Sequence, residues 1–102
     1  MEGITEMMDE IEKIKITGDH PNECYLCGAV GPTEVHHCMH GVANRKIADK
    51  YGLTVHLCHN CHMNLHDRSP ILDKFLQRIA QINFEKKYTR EEWMKAFGKN
   101  YL

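Results

Sequence analysis

LTVHLCHNCHMNLHD, residues 53–67, overlays three patterns in one short stretch. Leu53, Val55 and Leu57 alternate, as on the buried face of a strand. Cys58 and Cys61 stand at CxxC spacing, and His62 and His66 lie four apart, on one face of a helix, where they can grip one ion. A strand running through a metal-binding turn into a helix is the arrangement that satisfies all three.

Working upstream, CYLCG at 24–28 repeats the spacing and reads as a knuckle. Cys24, Cys27, Cys58 and Cys61 then supply four soft thiolates at the spacing tetrahedral Zn²⁺ prefers. Such a site has no open coordination position, so its zinc is structural. Residues 28–57 between the pairs leave room for a functional insert, and Cys38 within them reads as a small buried filler.

Composition agrees. The chain has 102 residues, 42% hydrophobic and 26% charged, the balance of one small globular domain whose thin core welcomes a staple. Five cysteines beside eight histidines suggest a metal, because the start MEGITEMMDE is acidic and has no apolar leader core. A reducing, cytoplasmic setting is expected. No apolar run approaches the roughly 20 residues of a membrane span. Residues 1–23 hold seven acids against Lys13 and Lys15, whereas eleven bases face seven acids beyond them. That imbalance is a mild pointer to a polyanionic partner.

One domain over 1–102 is expected. Residues 1–23 contribute an acidic amphipathic helix (Ile4, Met7, Met8, Ile11, Ile14) and a linker broken by Gly18, Pro21 and Asn22. Residues 24–68 hold the zinc site, a first strand in GPTEVHHCM, a loop through HGVANRK, a turn or two of helix in IADKYG, and the second strand. Residues 69–102 hold two helices. Ser69-Pro70 starts the first, with an apolar stripe of Ile71, Leu72, Phe75, Leu76, Ile79 and Ile82; a Thr89/Glu92 capping box starts the second, which carries Trp93 and ends at Gly98.

VHHCMHG followed by LTVHLCHNCHMNLHD resembles the ββα-metal (His-Me finger) motif of HNH endonucleases, specifically the small phage or prophage type with a four-cysteine zinc site. The likeness covers residues 24–68. It implies an α+β fold with a ββα-metal core stapled by zinc and flanked by helices. It makes His36 and His62 ligands of a catalytic divalent ion (Mg²⁺, Mn²⁺, Ni²⁺ or Zn²⁺), His66 a third ligand or a phosphate contact, and His37 the general base.

The implied reaction is hydrolysis of DNA phosphodiesters to 5′-phosphate and 3′-hydroxyl ends in a bacterial host cell. Double-stranded DNA would be held with weak sequence selectivity by Arg45, Lys46 and Arg68. A homodimer or a phage packaging partner fits the same resemblance. Two features test it: adjacent residues of a regular strand face opposite ways, so His36 and His37 need a break near Cys38–Gly41, and Leu53 stands where the family carries an asparagine. Asn44 is the substitute that could orient the base. His40 is an alternative ligand or base, and His56 is expected to face solvent. The competing reading is a non-catalytic zinc module of the same fold that binds nucleic acid or a protein.

Overall fold

A computed structural model describes residues 13–102, apart from residue 69 and the side chains of residues 66–68. Among these residues the fold is α+β: β1 (Glu34–His37), α1 (Val42–Tyr51), β2 (Thr54–Leu57), α2 (His59–Arg68), α3 (Pro70–Glu85) and α4 (Arg90–Phe97). β1 and β2 pair antiparallel, with Glu34 opposite Leu57 and His37 opposite Thr54. Most of the helix expected at the N-terminus, and the Ser69 cap, lie outside the described residues.

Leu53, Val55 and Leu57 are buried, as their alternation requires. They join Cys38, Met39, Ala48, Leu65, Leu76, Ala80, Phe84 and Trp93 in one core. Large side chains of this kind contribute roughly 1.5–3 kcal/mol each on burial. Residues 13–16 run outside any helix, contrary to the helical spacing that included Ile14. The Ile14 N–H donates to the Tyr51 carbonyl at 2.7 Å, and Ile14 and Ile16 enter the core. Gly52 ends α1 at φ 77°, and a Cβ there would sit 2.4 Å from the Ile14 carbonyl oxygen. Only glycine allows that approach.

Two expectations about helices change. HGVANRK is not a loop beyond Gly41: Ala43, Arg45 and Lys46 are good helix formers, and Ala48 and Tyr51 give α1 a packed face. Asn44, Arg45 and Lys46 therefore ride on a helix. In α3 the buried line is Leu76, Ala80, Asn83 and Phe84, so the expected stripe is rotated outward and Ile71 is 80% exposed. The rotation is possible because two buried amides are satisfied. Asn83 Oδ1 accepts from the Thr17 N–H and hydroxyl, both at 3.1 Å, and Gln81 bonds Glu85, Asn100 and the Tyr101 N–H. α4 forms as its capping box dictates, with Thr89 and Glu92 bonding reciprocally.

Candidate functional site

Each CxxC pair folds into a tight turn around its own sulfur. The Cys27 N–H donates to Cys24 Sγ and the Cys61 N–H to Cys58 Sγ, both at 3.5 Å. Gly28, at φ 78°, closes the first turn by donating to the Cys24 carbonyl at 2.9 Å. The second turn joins β2 to α2. The Tyr25 N–H donates to the His56 carbonyl at 2.7 Å and draws the turns together. The four Sγ atoms then lie within 4.8 Å of one another, with Cys27 and Cys58 only 3.8 Å apart.

Burial works against ionisation of Cys24, yet backbone groups of Cys58, Cys27 and Leu26 bring its pKa down to about 6. Burial and the neighbouring thiols push Cys61 up. Cys24 thus favours the thiolate while Cys61 resists it, a conflict that a divalent cation removes. The donor set fits a structural zinc site. Cys38 belongs elsewhere: it is fully buried in the core, and burial pushes its thiol up to about 12.

A second group of titratable side chains, histidines and carboxylates, gathers around β1. Strand alternation puts Glu34 and His36 on one face, toward α2. Glu34 accepts from His62 Nδ1 at 2.7 Å and from His59 Nδ1 at 2.9 Å. The bond from His62, then that from His59, holds the Glu34 carboxyl below its ordinary range. A proton fixed on His62 Nδ1 leaves Nε2 with the lone pair that a metal takes. His36, almost wholly buried, sets its ring 5.3 Å from that of His62 and 5.9 Å from that of His40. His40 Nε2 in turn pairs with Asp73 of α3. The donor atoms that come together here are those of His36, His40 and Asp73, all within 4.8 Å of one another.

His37, the last residue of β1, faces the other way and donates from Nε2 to Asp49 of α1 at 2.7 Å. A cleft of about 300 Å³ is lined by both His36 and His37. Val35, His40, Gly41, Arg45 and His62 complete the lining. The ladder stops at His37 and the chain bends at Cys38, so His36 and His37 both lie within the regular strand and face opposite ways.

Arg45 thus reaches the cleft, whereas Lys46 is exposed away from its lining. Asn44 makes no side-chain hydrogen bond to His37; Asp49 holds that ring. Leu53 is fully buried in the core. His56 does not simply face solvent: Asp19 accepts from both its N–H and its Nδ1, at 2.8 and 2.7 Å. The side chains of His66 and Arg68 lie outside the described ones.

Glu34, Asp49 and Asp73 went unread in the sequence. Glu34 had a signal, standing two residues before His36 on the same strand face. Asp49 and Asp73 sit on separate helices and had none.

No protein-family model, curated protein or solved structure matches the chain. Among the described residues, no helix is long and apolar enough to cross a membrane.

Proposed function

We propose that the protein is a metal-dependent endonuclease of the HNH type, hydrolysing DNA phosphodiesters with His37 as general base and one divalent ion. The carrying observation is that His36, His37, His62 and Arg45 line one cleft. The order β1, β2, α2, with α1 between the strands, fits a ββα-metal core. His36 and His62 would hold the ion, with His66 one turn beyond His62 as a third ligand. When bound, the ion would offset charge on the phosphorane and the departing 3′ oxygen.

Asp49 fixes the proton of His37 on Nε2, which leaves Nδ1 to take a proton from the attacking water. The same carboxylate balances the imidazolium that results. Arg45 stands close enough to the histidines to steady a phosphate, and contact with the backbone alone gives weak sequence selectivity. Double-stranded DNA is the substrate this reading favours.

Leu53 supports a second reading, a zinc module that binds nucleic acid without cutting it, since the position of the family's asparagine is filled by a core residue. Supercoiled plasmid cleavage separates the two. Wild type should cut with at least one of Mg²⁺, Mn²⁺, Ni²⁺ or Zn²⁺, and His37→Ala should lose about 10²- to 10⁴-fold in rate. Equal or absent cleavage in both proteins overturns the nuclease and favours the binding module.

A further inference from the structure

We infer that Asp73 and His40 share the ion of the cleft with His36, so that α3 belongs to the metal centre and does not merely pack beside it. This rests on reading the cleft as an ion site. It adds a ligand from outside the stretch that carries the HNH resemblance: β1 supplies His36 and the segment after it His40, but Asp73 comes from the first turn of α3.

His36, His40 and Asp73 each offer one donor atom, and these atoms lie within 4.8 Å of one another. Ligands about 2.0–2.2 Å from one tetrahedral ion stand roughly 3.4 Å apart, so His40 and Asp73 would give up their mutual hydrogen bond and separate to admit the ion, while His36 closes in. The Asp73 side chain is only 26% exposed and is aimed at the imidazole of His40. A largely buried carboxylate beside clustered imidazoles is the chemistry of a mixed nitrogen and oxygen metal site.

The charge of Asp73 has a chemical consequence. Imidazoles alone favour late transition ions, whereas a carboxylate extends the site to harder ions such as Mn²⁺. Losing that charge should therefore weaken Mn²⁺ more than Ni²⁺. An ion pair that only tethers the turn to α3 would instead change stability and leave ion affinity alone.

The test is calorimetric titration of the full, zinc-loaded chain with Mn²⁺ and with Ni²⁺. Wild type should take one further ion. Asp73→Asn keeps an acceptor for His40 and should retain the fold, yet lose about tenfold or more in Mn²⁺ affinity and less in Ni²⁺ affinity. His40→Gln repeats the test from the other partner and should also weaken both ions. Unchanged affinity in both variants, with loss in His36→Ala, overturns the role of α3 and leaves the nuclease reading standing. A wild type that takes no further ion overturns both.

Discussion

The thiol cluster and the histidine cleft share one run of chain, since Cys58 and Cys61 alternate with His59 and His62 across the β2–α2 junction. They are nevertheless built in opposite ways. Each thiol pair is ordered by its own turn, with a backbone N–H on a sulfur three residues back. The cleft is ordered by carboxylates from elsewhere: Glu34 on His62, Asp49 on His37, Asp73 on His40. The thiol turns are held by contacts three residues apart, the cleft by ion pairs between separate elements.

The sharpest way to break this contrast is to strip the metals separately. Removing zinc from the thiols under reducing conditions, or substituting Cys58→Ser, should unfold the chain as read by circular dichroism. Structural zinc contributes roughly 10–16 kcal/mol in small zinc domains, as much as a whole domain's stability. Mild chelation of the cleft should leave the spectrum unchanged. A fold that survives loss of the thiol metal would erase the distinction.

Glu34→Gln comes next. It should weaken ion binding in the cleft by about 10- to 100-fold while the zinc stays bound, measured by titration of the zinc-loaded protein. Because the Glu34 carboxyl titrates below its ordinary 4.5, its contribution to stability is present above that pH. It fades as pH falls through the lower folded value. Thermal unfolding followed downward from pH 4.5 should therefore drop more steeply in wild type than in Glu34→Gln.

The smallest effect serves as the control. Thr89→Ala removes the cap of α4 and should cost about 1 kcal/mol in chemical denaturation. Neither ion affinity should change. If the cleft responds, it is coupled to the C-terminal helices more tightly than its ligands imply.

Legibility in the sequence follows the same division. CxxC spacing, the alternation of Leu53, Val55 and Leu57, and the Thr89 capping box are short-range patterns, and each appears in the fold as read. What escaped was long-range or compensated. The partners of His37 and His40 lie 12 and 33 residues away, beyond any local motif. The stripe on α3 was misplaced because Gln81 and Asn83 are buried with their hydrogen bonds made, which a hydrophobic pattern counts as polar surface. His56 reads as solvent-facing from its place on the second strand, and the Asp19 carboxylate that holds it lies 37 residues away.

Trp93 is the chain's only tryptophan and is fully buried, with its indole N–H donating to the Lys99 carbonyl at 2.8 Å. Its ring packs against Phe84 and Phe97, within α3 and α4. Intrinsic emission from this molecule is therefore a one-site optical gauge of the C-terminal helices, in which a red shift signals their opening. Absorption of a cobalt-substituted thiol site reports the cysteine turns, so two colours can time the order in which these parts come apart.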